Sequence, residues 1–155
     1  MPIGRVRFKR SAGCFLVLAC LCIVESTCSS PVAQSHIDAN VPDAASFDTL
    51  MQRDLSAYFE KTLETSGKIH VDYQLLRKGP TQTGISYPKF YVWAKVSSGS
   101  RVVTEGAVRV AAVDGALFTV TNFIGKDQIL AEPEKVNTVF PAALNATIIG
   151  LAAAK

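Results

Sequence analysis

The sequence predicts an α+β fold in which a long N-terminal helix packs on a four-stranded, mainly antiparallel sheet and a C-terminal helix follows. Three observations predict it. Apolar residues recur at steps of three and four between residues 43 and 67, alternate with polar residues in several runs between residues 69 and 123, and return in an alanine-rich run from residue 142. Each apolar face needs a partner, so the helix and the sheet are expected to bury each other.

The long helix is predicted to begin near Asp43 and to end before Gly67. Asp43 follows Pro42 and suits an N-cap, whereas glycine suits the residue after a helix. The stripe that this helix should bury comprises Phe47, Leu50, Met51, Leu55, Tyr58, Phe59, Thr62 and Leu63.

The strands are predicted from alternating or β-rich segments at residues 69–76, 87–97, 101–113 and 116–123. Gly99-Ser100 and Asp114-Gly115 suit two-residue turns, which make neighbouring strands antiparallel. These turns predict that Val96 faces Val103, Val92 faces Ala107, Ala111 faces Phe118 and Arg109 faces Val120. The face expected beneath the helix then holds Phe90, Val92, Ala94, Val96, Val103, Glu105, Ala107, Arg109, Ala111, Val113, Phe118 and Val120. The opposite face holds Tyr91, Trp93, Lys95, Val102, Thr104, Val108, Val110, Leu117, Thr119 and Thr121.

The C-terminal part is predicted as a turn at residues 125–128, a short helix at 133–140 and a last helix at 142–154. Pro141 suits the first residue of that last helix. Leu144, Ile148 and Leu151 form its apolar stripe. Two roles are open for it: an exposed docking element or a part of the core.

Residues 1–28 are predicted to be a signal peptide. Residues 1–10 are basic, residues 11–24 are apolar, and residues 25–30 are small and polar. The apolar run is shorter than the roughly 20 residues of a spanning helix. The chain is therefore expected to be exported, to the periplasm or the outer surface of a membrane, with a flexible tether at 29–42 and a single domain at 43–155.

The cysteines indicate how the mature chain is built. All four lie in the leader: Cys14, Cys20, Cys22 and Cys28. Cleavage near residues 28–33 leaves none for a disulfide, a metal site or a thiol nucleophile. Cys20 follows Val17-Leu18-Ala19, which resembles a lipobox, and Cys28 precedes two serines; these two cysteines are the lipidation candidates. A lipid anchor and plain secretion both stay open.

Charge and motifs exclude several function classes. Residues 31–155 carry 12 basic and 12 acidic side chains, which remain after 4 of 16 and 1 of 13 are assigned to residues 1–30. A balanced body lacks the basic field that nucleic-acid binding requires. No nucleotide-binding, nucleophile-elbow or zinc-protease motif occurs, and His36 and His70 are far apart, so no cofactor, metal or catalytic residue is assigned.

Two pairs of polar residues and a set of aromatic residues are candidates for a site. His70 and Asp72 point to the same face of one strand, as an acid–base pair or as a solvated outer face. Glu105 and Arg109 share a strand face, as polar groups in an apolar pocket or as groups at the sheet ends. Tyr91 and Trp93 suit cavity walls or ordinary core packing. The residues assigned to ligand binding are Tyr91, Trp93, Glu105 and Arg109.

The order of elements, a long helix, four strands in a meander and a C-terminal helix, resembles the α+β roll of the nuclear-transport-factor-like and cystatin-like superfamily over residues 43–131. This resemblance implies a curved sheet around a helix and a conical cavity. Members of the superfamily include enzymes, ligand binders and structural partners, so the fold leaves the activity open.

These observations lead to two expectations for function. The first is an exported, non-enzymatic envelope protein that binds a partner protein or a small apolar ligand. The alternative is a small cavity-type enzyme, isomerase-like or hydrolase-like, that uses His70 and Asp72 or Glu105 and Arg109.

Overall fold

The computed structural model describes residues 31–63, 68–84 and 86–154. The predicted signal peptide and the lipidation candidates Cys20 and Cys28 lie outside the described residues. The fold is α+β with a four-stranded antiparallel sheet, as predicted, and a C-terminal helix is present. The elements are α1 (Pro31–Asn40), α2 (Phe47–Leu63), β1 (Ile69–Leu75), β2 (Lys89–Ser98), β3 (Arg101–Val113), β4 (Leu117–Gly125), α3 (Lys126–Ala131), α4 (Glu134–Val139) and α5 (Ala142–Ala153).

The sheet is a meander in which the strands lie in the order β1-β2-β3-β4. Helices cover both of its faces, and each face has its own apolar cluster. We call the face beneath α2 the first face and the face beneath α3, α4 and α5 the second face. No helix in the described part of the chain has the length and apolar character needed to cross a membrane.

Helix α2 packs on the first face through its predicted apolar stripe. Met51, Leu55 and Phe59 are completely buried there. The ring of Phe47 meets those of Phe90 and Phe118 edge to face, with ring centroids 5.1 and 5.0 Å apart. Burying large apolar side chains contributes about 1.5–3 kcal/mol each, which makes this cluster a main source of stability.

The second face is covered by the C-terminal helices. Ile129 of α3, Val136 of α4 and Ile148 of α5 are completely buried against it. The last helix is therefore part of the core. The turn predicted at residues 125–128 is also wrong, because β4 continues to Gly125 and α3 begins at Lys126.

The predicted register between β2 and β3 is wrong by one residue over most of its length. Val96 faces Thr104 rather than Val103, and Val92 faces Val108 rather than Ala107. A register shift next to Val96 inserts one extra residue into β3, while the turn at Gly99-Ser100 forms as predicted. An extra residue reverses the side-chain direction of everything beyond it.

The register between β3 and β4 also differs from the prediction. Ala111 faces Thr119 rather than Phe118, because the pairing closes at Val113 and Leu117 around a three-residue connection. A second shift next to Arg109 then pairs Arg109 with Asn122 rather than with Val120.

Because of these shifts, the β3 side chains lie on the face opposite the predicted one, whereas the β2 side chains lie on their predicted faces. Val108, Val110 and Ala112 belong to the first-face cluster. Ala107 belongs to the second-face cluster, and Glu105 and Arg109 are in phase with it, so the prediction that they lie beneath the long helix is wrong.

The segment predicted as an irregular tether contains helix α1. The side chain of Asn40, at the end of α1, is buried, accepts a hydrogen bond from the Asp114 amide (3.1 Å) and donates one to the His36 carbonyl (2.7 Å). The carbonyl of Asn40 accepts from the Gly115 amide (3.1 Å). Hydrogen bonds through Asn40 therefore connect helix α1 to the β3–β4 turn.

Candidate functional site

The four residues assigned to ligand binding lie on the second face of the sheet. Tyr91 and Arg109 face each other across β2 and β3, Trp93 faces Ala107, and Glu105 faces Lys95. The predicted register separated the aromatic pair from the charged pair. The extra residue in β3 brings them to one face.

Arg109 holds three elements together. Its guanidinium donates to the Thr121 hydroxyl (3.1 Å), to the Val139 carbonyl at the end of α4 (3.0 Å) and to the side-chain oxygen of Asn122. A cation on the last carbonyls of a helix is favourable. Arg109 thus has each of its nitrogens occupied by the protein, and its role is to tie β3, β4 and α4.

Tyr91 is likewise committed to packing. Its side chain is buried, and its ring lies 6.0 Å from that of Phe140. Its hydroxyl forms a hydrogen bond of 2.6 Å with the Thr81 hydroxyl, which fixes the loop before β2. The hydroxyl of Tyr91 is therefore already satisfied inside the fold.

Glu105 and Trp93 line an open groove beside the C-terminal end of α5. The groove has a volume of about 310 Å³ and is lined by Trp93, Lys95, Val102, Glu105, Lys126, Leu151 and Ala154. We call these seven residues the α5 groove. Trp93, Val102, Leu151 and Ala154 supply apolar surface to this groove, and Lys95, Glu105 and Lys126 supply charge, a mixture that is found at protein interfaces.

Lys126 connects β3 with the end of α5 at this groove. Its ammonium pairs with the Glu105 carboxylate at 2.6 Å and donates to the Ala154 carbonyl at 2.8 Å, where α5 ends. Lys95 is exposed and faces Glu105 on one side and Asp72 on the other. A row of alternating charge therefore crosses the second face from β1 to α3.

His70 and Asp72 are near this row but stand in solvent. The imidazole Nε2 lies 3.0 Å from Asp72 Oδ1, and the two side chains are 63% and 67% exposed. The pair lies on the edge strand β1, in phase with Lys95. This is the arrangement of a solvated outer face, and no described cleft encloses the pair.

The pKa values of two groups next to these residues are shifted. Burial, with a smaller contribution from the nearby charge of Arg109, lowers the pKa of Lys89. Burial and the hydrogen bond to Asp48 raise the pKa of Tyr73 well above the usual tyrosine range; its hydroxyl donates to Asp48 Oδ1 at 2.5 Å. Both shifts follow from packing and pairing rather than from a reactive centre.

The sequence patterns do not single out the residues that complete the groove. Lys126 was assigned to a turn, and Val102 and Leu151 were assigned to a strand and a helix stripe without a functional role. Their proximity depends on where α3 and α5 pack on the sheet, for which no local pattern exists. The described residues hold no group of three or more histidine, cysteine, aspartate or glutamate side chains arranged for a metal ion.

Comparisons with known proteins add no relative to this picture. No protein-family model, no curated protein and no solved structure matches the chain.

Proposed function

We propose that this chain is an exported, non-enzymatic envelope protein, in the periplasm or on the outer surface of a membrane, and that it binds a partner protein through the α5 groove. One observation carries the proposal: a groove beside the end of α5 in which the exposed Val102 lies next to Trp93 and three charged side chains. Export is supported by the basic, apolar and small-polar succession of residues 1–30.

A partner protein suits this groove better than a small apolar ligand. Small-molecule sites are concave and mostly apolar, with few polar groups. The α5 groove places three charged side chains, Lys95, Glu105 and Lys126, beside Trp93 and Val102. An incoming protein surface can bury the valine and the edge of the tryptophan while it pairs with these charges.

The enzyme alternative finds less support in the geometry. Arg109 and Glu105 are both engaged by groups of the fold, and the pair His70 and Asp72 is exposed. General acid–base catalysis needs a positioned group within hydrogen-bond reach of a bound substrate. Of these four residues, Glu105 alone lines the α5 groove.

Site-specific photo-crosslinking in the native host tests the binding surface. A photoreactive residue at Val102 is expected to capture one partner protein, and the same residue at Leu117 is the matched control, because the two side chains are 43% and 44% exposed. Capture at Val102 should be lost with Lys95→Glu, which reverses a charge of the groove. Equal capture from both positions, or none from Val102, contradicts the proposal.

Native mass spectrometry of the protein purified from its own host separates the two kinds of ligand. Extra mass that is released on denaturation, below the size of a protein, would favour a small apolar ligand. A bare chain that captures a protein at Val102 favours the proposal.

The export part of the proposal has its own measurement. The intact mass of the envelope-associated protein is expected to lack most or all of residues 1–28. If the protein carries lipid, the added mass should disappear with Cys20→Ala or Cys28→Ala, depending on which cysteine is acylated. A full-length, unmodified mass in the cell interior would contradict export.

We also infer a relationship to the nuclear-transport-factor-like and cystatin-like rolls, in which a long helix packs on a curved sheet. Support comes from the order of α2 and the four-stranded meander, with α2 on one face. Helices α3, α4 and α5 on the other face are an addition to that plan. An experimental structure with a flat sheet would contradict the relationship.

A further inference from the structure

We propose that two copies of this chain associate through the edge strand β1, which pairs with itself in antiparallel fashion about Val71. This surface adjoins the α5 groove at Asp72, which faces Lys95, but it shares no residue with the groove, so the inference does not depend on the proposed function. It rests on the backbone groups at the edge, on the space beside them and on the side chains that a two-fold axis brings together.

Strand β1 is an edge of the sheet, with every second peptide group directed away from β2. The Leu76 amide bonds inward to the Tyr91 carbonyl at 2.9 Å, whereas the Val71 carbonyl points outward and accepts from the Gln52 side chain at 3.1 Å. The odd-numbered residues of β1 therefore present their N–H and C=O groups outward. Such an edge is a template for another strand.

There is room for a strand beside this edge. A groove of about 400 Å³ runs between α2 and β1, and its lining includes Gln52, Val71 and Tyr73. Gln52 is exposed, so its one hydrogen bond to the edge is readily replaced by a hydrogen bond from an incoming amide.

The side chains of β1 are complementary to themselves in one register. Pairing about Val71 sets His70 opposite Asp72 of the second copy, and Asp72 opposite His70 of the second copy. Within one chain the same two side chains already lie 3.0 Å apart, so the dimer closes a square of alternating imidazole and carboxylate groups. Residues that face each other in such non-hydrogen-bonded pairs approach closely, so each imidazole lies within reach of a carboxylate of the other copy.

The neighbouring registers are less favourable. Pairing about Asp72 sets the two Asp72 carboxylates against each other, and pairing about His70 sets the two His70 rings against each other. The Val71 register also places Ile69 opposite Tyr73 of the second copy, an aromatic and β-branched pair of the kind that stabilises sheets. A second copy is therefore the partner that this edge fits.

A charge swap measured by sedimentation equilibrium tests the pairing. Wild-type protein that is purified after export from its expression host is expected to dimerise reversibly. His70→Asp sets two carboxylates opposite each other twice per dimer, and Asp72→Lys removes both carboxylates that pair with His70. Each variant should raise the dissociation constant about tenfold or more. The double variant H70D/D72K restores opposite charges and should recover the affinity. Glu60→Lys, an exposed change on α2, is the control and should leave the affinity unchanged.

Three results would overturn the proposal: a monomer at the highest attainable concentration, a dimer that neither single variant weakens, or a double variant that stays as weak as the single ones. Because Asp72 faces Lys95 within the sheet, the thermal unfolding of each variant is measured together with its mass in sedimentation equilibrium.

Hydrogen exchange on the wild-type protein gives a second test that needs no variant. The outward amides of Val71 and Tyr73 should become protected as the protein concentration rises, whereas the amide of Asp72, which points toward β2, should be protected at every concentration. Protection of Val71 and Tyr73 that does not change with concentration contradicts the pairing.

Discussion

Gly106 lies in β3 against β4 with no room for a side chain, and replacing it with alanine should destabilise the protein strongly. A β-carbon at residue 106 would lie 2.2 Å from the Ile124 carbonyl oxygen, 2.8 Å from the Gly125 α-carbon and 2.9 Å from the Phe123 ring. Two of these three neighbours are backbone atoms of the paired strand, which cannot turn away as a side chain can.

The size of the effect follows from these distances. Comfortable contacts between non-bonded carbon atoms are about 3.5–4.0 Å, so the two strands would have to separate by roughly 1 Å at this point. Overpacking a well-packed interior costs about 1–3 kcal/mol. Because the displaced groups are main chain and belong to the sheet ladder, we expect Gly106→Ala to cost about 3 kcal/mol, or roughly 10 °C in Tm for a chain of this size.

The assay is reversible thermal and urea unfolding, with Gly150→Ala as the matched control. Nothing lies within 4 Å of a β-carbon at residue 150, in the last turn of α5. Alanine there should stabilise by about 0.5–1 kcal/mol, because glycine loses more chain entropy in a helix. The same substitution should thus have opposite signs at the two sites. An unchanged Tm for Gly106→Ala would refute the close approach of β3 and β4.

Three further predictions follow from named contacts. Ile148→Ala should lower the free energy of unfolding in urea by about 2–5 kcal/mol because Ile148 is fully buried. Ile149→Ala, at a side chain that is 37% exposed, should change it by less than about 0.5 kcal/mol. Equal effects would contradict the packing of α5. Asn40→Ala should cost about 1–3 kcal/mol, since it leaves the Asp114 amide without its partner, and amide exchange at Asp114 should then accelerate. Hydrogen bonds from Ser46 lower the pKa of Asp43. The ionised Asp43 should therefore make the protein more stable than Asp43→Ala at pH values above the ordinary aspartate pKa of about 3.9, and this difference should shrink as acid protonates the folded carboxylate. Urea unfolding of both proteins across acidic pH checks the sign.

Local patterns predicted much of the secondary structure. The alternation of β2 correctly assigns Phe90 and Val92 to one face and Tyr91 and Trp93 to the other. The helical spacing around Met51 lies within α2. Period and turn chemistry are properties of neighbouring residues, so they are legible in one sequence.

The faces of β3 could not be predicted in the same way. Residues 101–113 form one long β-rich run in which both faces carry valine or alanine, so either register buries apolar side chains. The extra residue near Val103 decides between them, and its placement depends on how well Val108 and Val110 fill the space beneath α2. That is a packing energy between elements far apart in the chain.

The sequence by itself determined α2, the four strands, the last two helices and the partition of β2 between two faces, because side-chain periodicity and turn geometry act over a few residues. The tertiary structure decided where Glu105 and Arg109 point, that Lys126 reaches Glu105 and the end of α5, and that α5 is core. These features depend on one bulge and on the docking of helices onto a sheet, which are settled by the packing of residues distant in sequence.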